Sequence, residues 1–157
     1  MTTDVRSRTE QDSHELVFSR VFAAPPATVF RAWTDPDQLV RWWGPRDFVL
    51  TIQEMDVRVG GIWEYVLHGP DGTDYPNRAV FEVVEPPTRL EFLNSGGHVS
   101  DDHLTCRMVV TFEDKTVQTL VTLRMQFETQ AGLDRARMRG AEQGGVESFE
   151  RLVEWLK

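Results

Sequence analysis

Several things are scarce or missing in this chain, and each absence removes a class of function. There is a single cysteine, Cys106, so no intramolecular disulfide can form. A reducing compartment accounts for this most simply, and a cytoplasmic location is expected. No uninterrupted apolar run is long enough to cross a bilayer. The stretch from Met1 to Glu15 is polar and carries Asp4 and Glu10, which leaves no apolar core for a signal peptide. Dense runs of basic residues are also missing: 17 Lys and Arg face 25 Asp and Glu, a net charge of −8. A surface so charged repels nucleic acid and acidic membranes on average, so neither is expected as a partner. The phosphate-cradling Gly-x-x-x-x-Gly-Lys loop, the dinucleotide fingerprint and the Gly-x-Ser-x-Gly nucleophile elbow do not occur. No cofactor is expected.

What is present fits one domain. A chain of 157 residues buries roughly two-thirds of its unfolded surface, so its core needs no metal or disulfide. Residues 1–12 are polar and aperiodic and read as a flexible tail, leaving 13–157 as a single domain. From His14 to Phe22 residues alternate as in a strand. Ala24-Pro25-Pro26 ends it and presets a helix start, and Val29, Phe30 and Trp33 recur at helical spacing. Asp35-Pro36 supplies an N-cap and first helical residue for a second short helix, which Gly44-Pro45 stops.

Strands follow from Phe48 to Phe127. Phe48–Val59 and Ile62–His68 meet at Gly60-Gly61, where a sharp bend is expected. Arg78–Val84, Leu90–Asn94, Cys106–Phe112 and Thr116–Phe127 continue the series, with Ser95–Asp102 as a polar loop. The final segment is helical, securely over Val146–Leu156, with Met138, Ala141, Gly145, Ser148, Phe149, Leu152 and Leu156 on one face. Glu142, Glu147, Glu150, Arg151 and Glu154 read as its wet side. The order predicts an α+β fold in which a curved antiparallel sheet closes around the last helix.

Four motifs occur in register: Trp42-Trp43-Gly44-Pro45, Asp56-Val57-Arg58-Val59-Gly60-Gly61, Val84-Glu85-Pro86-Pro87 with Leu90, and Gly140 to Leu156. Together they resemble the activator-of-heat-shock-protein-90-ATPase-like family (AHSA1-like) of the SRPBCC, or START-like, superfamily, over about residues 14–157. The resemblance implies a helix-grip fold with an apolar cavity between sheet and C-terminal helix. It says less about activity, because members range from ligand carriers to cyclases. A chain of this length is not expected to hold the chaperone-binding domain of the eukaryotic relatives. One departure stands out. Relatives commonly carry a tryptophan after the Gly-x-x-x-Gly pattern, where this chain has Gly145. The space is then either filled by a neighbour such as Trp63 or Phe149, or left as a wider pocket.

Strand parity, matched to that fold, turns Trp63, Tyr65 and Leu67 inward, together with Leu90, Phe92 and Asn94. Met108, Val110, Phe112, Val121, Leu123 and Met125 face the same way. With Gly145, Ser148 and Phe149 from the helix, these residues make either the wall of an apolar site oriented by a few polar groups or an ordinary filled core. Catalytic candidates are weak: Glu82 as a general base if it projects inward, and the Tyr65 hydroxyl. Cys106 has no base placed beside it and reads as a buried structural residue. His98, Asp101, Asp102 and His103 are metal-ligand types in a polar loop, but their spacing matches no ligand template, and no metal is expected. Trp42-Trp43 either anchors the short helices at the cavity mouth or, if one ring is exposed, offers a homodimer contact.

The reading these residues favour is binding of a hydrophobic or aromatic small molecule in the internal cavity. Its alternatives are a cyclase, hydratase or isomerase using the same cavity, and a stress-related or chaperone-interacting module.

Overall fold

The computed structural model describes residues 3–8, 14–96 and 104–157. Its elements run β1 (Asp4–Arg8), β2 (Glu15–Phe22), α1 (Pro26–Thr34), α2 (Pro36–Leu39), β3 (Val49–Met55), β4 (Ile62–His68), β5 (Asp74–Glu85), β6 (Arg89–Gly96), β7 (Leu104–Asp114), β8 (Thr119–Gln126), α3 (Gln130–Met138) and α4 (Ala141–Trp155). The strands form one curved antiparallel sheet in the order β1-β2-β8-β7-β6-β5-β4-β3. β2 and β3 are consecutive in sequence yet lie far apart in the sheet. The α1–α2 pair carries the chain between them.

Local chemistry explains the helices. Pro26 opens α1, whose Val29, Phe30, Ala32 and Trp33 are buried. Asp35 caps α2, its side chain accepting the Asp37 N–H at 3.0 Å. Beyond α2, the Trp42 indole donates to the Ala32 carbonyl at 3.0 Å, and the Trp33 ring lies 4.8 Å from that of Trp42 and 5.4 Å from that of Trp43. Trp42 and Trp43 are both buried, 0 % and 7 % exposed. The anchoring role holds, and neither ring is available as an exposed dimer contact.

The centre is built on Phe149 of α4, whose ring packs 6.2 Å from Phe18, 5.6 Å from Phe22 and 6.4 Å from Trp33. Burial on β4, β6 and β8 follows strand parity: Trp63 and Tyr65, then Leu90, Phe92 and Asn94, then Val121, Leu123 and Met125.

Several elements differ from those read in the sequence. Asp4–Arg8, placed there in the flexible tail, pairs with β2 as an edge strand. Here backbone pairing supplies order that a polar sequence does not advertise. β3 stops at Met55 rather than Val59, because Asp56–Gly61 folds into a turn: the Gly61 N–H bonds the Arg58 carbonyl at 2.8 Å. A Cβ on Gly61 would lie 1.9 Å from the Asp56 carbonyl oxygen, so the expected bend does require glycine there. Thr116 and Val117 form the turn before β8 instead of beginning it, both at positive φ. An additional helix, α3, is capped by Thr129, whose hydroxyl accepts the Gly132 N–H at 3.0 Å. Met138 ends that helix and is 87 % exposed, not on the buried face of α4. Gly140, at φ +82°, makes the corner, so α4 starts at Ala141 and its glycines lie inside it.

Candidate functional site

Between the sheet and the α3–α4 corner lies a cavity of about 470 Å³. Tyr65 and Leu67 of β4, Asn77 of β5, Asn94 of β6, Met108 of β7 and Met125 of β8 form its sheet side. Ala136, Gly144, Gly145 and Ser148 close the helix side, and the loop Trp43-Gly44-Pro45 with Phe48 forms the rim. The Phe48 and Tyr75 rings, 6.0 Å apart, frame the mouth. Arg139, the one charged residue among the described lining residues, is exposed at its edge.

The rim is tied to α4 by polar contacts. Ser148 Oγ accepts the Gly44 N–H at 3.0 Å. The Arg151 guanidinium donates to the carbonyls of Gly44 at 3.0 Å, Pro45 at 3.2 Å and Arg41 at 3.3 Å. Burial pulls its pKa below the ordinary arginine value. Arg46 pairs with Glu154 at 2.6 Å, and its backbone N–H donates to Glu147 at 2.9 Å. That network depresses the pKa of both carboxylates, Glu147 first through the Gln143 amide and Glu154 first through Arg46. The face read as merely wet therefore clamps the cavity rim to the helix.

A chain of hydrogen bonds crosses the sheet side. The Tyr65 hydroxyl donates to Asn94 Oδ1 at 2.9 Å, Asn94 Nδ2 donates to Asn77 Oδ1 at 3.2 Å, and Asn77 Nδ2 donates to the Tyr75 carbonyl at 2.9 Å. Asn77 fits because its partner across the ladder is Gly96, where a Cβ would lie 2.0 Å from Asn77 Oδ1. Cys106, opposite Asn94 in the β6–β7 register, also lines the cavity. Burial pushes the Cys106 thiol up to about 12 and raises the Tyr65 phenol well above its ordinary range. Both keep their protons at neutral pH.

Of the residues read as site candidates, Tyr65, Leu67, Asn94, Met108, Met125, Gly145 and Ser148 come together on this wall. Trp63, Phe92, Val110, Leu123 and Phe149 do not line it; they are buried in the packed core beside it. Trp63 stacks on Tyr65 at 4.2 Å and lies 5.6 Å from Phe92, filling that part of the concave face with rings. Gly145 does not widen the pocket: a Cβ there would meet the Phe18 ring at 2.3 Å, so Phe18, rather than Trp63 or Phe149, fills the space. Glu82 sits at a β5 bulge, exposed and ion-paired with Arg107, away from the cavity. His98, Asp101, Asp102 and His103 lie outside the described residues.

Strand reading missed Asn77 and Tyr75 because β5 begins at Asp74, not at Arg78. Extending the alternation of Ala79 and Phe81 backward would have turned both inward. Ala136 was missed with α3. A larger, more polar groove of about 650 Å³ lies where β2, β6, β7 and β8 end. Its residue His14 adjoins, and its Thr105 lies two positions from, segments outside the described residues, and its Glu15 is already paired with Arg124 at 3.2 Å.

A curved antiparallel sheet gripping a C-terminal helix, with a cavity between them, defines a helix-grip protein. Residues 23–157 match the model of the activator of Hsp90 ATPase homolog 1-like protein family, and the chain belongs to that family. Solved structures agree. A protein from Arthrobacter aurescens is 27 % identical with a TM-score of 0.89, the match covering 98 % of this chain and 90 % of that one. Protein Ms6760 from Mycobacterium smegmatis is 25 % identical with a TM-score of 0.88, covering 99 % and 98 %. The AHSA1 protein from Silicibacter pomeroyi, 22 % identical with a TM-score of 0.74 and covering 90 % and 96 %, shares the fold. Among curated proteins none matches the chain significantly.

Proposed function

We propose that this protein binds an apolar or aromatic small molecule in the cavity between the sheet and α4, by shape and burial and without covalent chemistry. The observation that carries this reading is the cavity itself. Its volume of about 470 Å³ falls inside the range of about 300–1,000 Å³ usual for small-molecule sites. Its wall combines side chains such as Leu67, Met108 and Met125 with a few fixed polar groups. Two points favour binding over general-base chemistry. The titratable wall groups Tyr65 and Cys106 hold their protons, and the one carboxylate considered as a base, Glu82, is engaged elsewhere.

Native and denaturing mass spectra of freshly purified protein, before and after incubation with a neutral naphthalene probe, test the reading. The expected result is an added mass in the native spectrum that disappears on denaturation. It should be abolished by Met108→Trp, which fills the cavity, provided circular dichroism is unchanged. Bare mass throughout, with no probe taken up, would overturn it.

A further inference from the structure

We propose that the cavity selects an uncharged ligand whose buried end carries a hydrogen-bond acceptor, such as a carbonyl oxygen or ring nitrogen, taken by the side-chain N–H groups of Asn94 and Asn77. This deepens the binding reading above and rests on it.

Direction is what makes the hydrogen-bond chain informative. An asparagine amide can usually be turned over without changing its shape, which leaves its donor and acceptor ends ambiguous. Here the far end is the backbone carbonyl of Tyr75, which can only accept. Asn77 must therefore present Nδ2 to it, and its Oδ1 must accept from Asn94. Asn94 must in turn present Nδ2, leaving its Oδ1 to accept the Tyr65 hydroxyl proton. Both amides are oriented by one carbonyl.

Each amide nitrogen carries two hydrogens and spends one within the chain. One N–H on Asn94 and one on Asn77 have no further bond to a described residue, and both side chains line the cavity. Asn94 is 7 % exposed, so what this group can bond is set by whatever occupies the cavity. Carbonyl oxygens tolerate an unfilled lone pair better than buried N–H groups tolerate a missing acceptor. The wall's unmet demand is therefore for acceptors.

Charge is excluded for a separate reason. The described lining residues include no carboxylate and no lysine, and their single cation, Arg139, sits exposed at the edge. An ion at the buried end would lose its hydration against these neutral groups and is disfavoured there. Size adds a limit. At about 30 Å³ for each water-sized group, 470 Å³ holds on the order of fifteen such groups.

Three matched probes test this: propionylnaphthalene, propylnaphthalene and naphthoate, substituted at the same ring carbon. Binding is followed by quenching of protein fluorescence. In the unaltered protein the ketone should bind, and naphthoate should bind more weakly than the ketone. Asn94→Leu should weaken ketone binding about tenfold and leave the hydrocarbon within about twofold. Asn77→Leu, which removes the second cavity N–H and the acceptor that orients Asn94, should reduce ketone binding severalfold and leave the hydrocarbon within about twofold. If Asn94→Leu does not fold, Asn77→Leu decides. Equal losses for ketone and hydrocarbon, no loss for either, or naphthoate binding more tightly than the ketone would each overturn the proposal while leaving the binding reading intact. If no probe binds, both fall together.

Discussion

Gly144 and Gly145 are neighbours on α4 and mean opposite things. A Cβ at 144 would meet Pro45 at 3.4 Å, an ordinary contact. At 145 it would meet the buried Phe18 ring at 2.3 Å. Helix propensity favours alanine over glycine by about 1 kcal/mol at either site, whereas overpacking a core costs about 1–3 kcal/mol. Gly144→Ala is therefore expected to raise stability by up to about 1 kcal/mol. Gly145→Ala should lower it, by up to about 2 kcal/mol net, since the ring contact outweighs the helix gain. Urea unfolding of the two variants checks both signs. Two stabilised variants would mean that Phe18 moves aside easily and that the helix is not held at this contact. The family resemblance implied that a large ring was missing at 145, but which ring replaced it depended on the β2–α4 approach, and no periodicity within one segment encodes that distance.

At the scale of elements, the β7–β8 hairpin turns through Thr116 and Val117, at φ +59° and +58°. The Lys115 N–H closes the turn on the Gln118 carbonyl at 2.8 Å. Two-residue turns of this type favour Asn-Gly, and a β-branched residue at positive φ is strained. Val117 is 78 % exposed and contributes little packing. Replacing the pair by Asn-Gly should stabilise the protein by about 1 kcal/mol, raising Tm by about 2–4 °C in a calorimetric scan. An unchanged or lower Tm would show that the turn carries no such strain. Strand existence and facing were readable because alternation is a local signal: Tyr65, Asn94, Met108 and Met125 were all turned correctly. Turn chemistry at 116–117 was not, since nothing in Thr-Val predicts positive φ. The α3 helix was hidden by its weak apolar pattern, in which only Leu133 and Ala136 are buried.

For the molecule as a whole, the protonated wall groups link stability to alkaline pH. An unfolded chain releases the Cys106 proton near the ordinary thiol value of 9.0, while the folded chain keeps it to about 12. Between those values only the unfolded state sheds the proton, so stability falls as pH rises, by about 1.4 kcal/mol per pH unit from this group. Tyr65 acts in the same direction above its ordinary value of 10.0. Below pH 9 neither group contributes a slope. Urea midpoints measured between about pH 8 and 11 should therefore decline, and Cys106→Ala should flatten the decline. An equal slope in the variant would mean that the thiol is not shielded from water.

The close seating of Asn77 on Gly96 also bears on descent. A side chain at 96 cannot share its space with the amide at 77, and without that amide the link from Asn94 to the Tyr75 carbonyl is broken. A relative that carries alanine at 96 is expected to seat any asparagine at 77 differently, because the added carbon would press on that amide and on the Pro76 carbonyl oxygen, so a single small substitution would mark where one binding preference diverged from another.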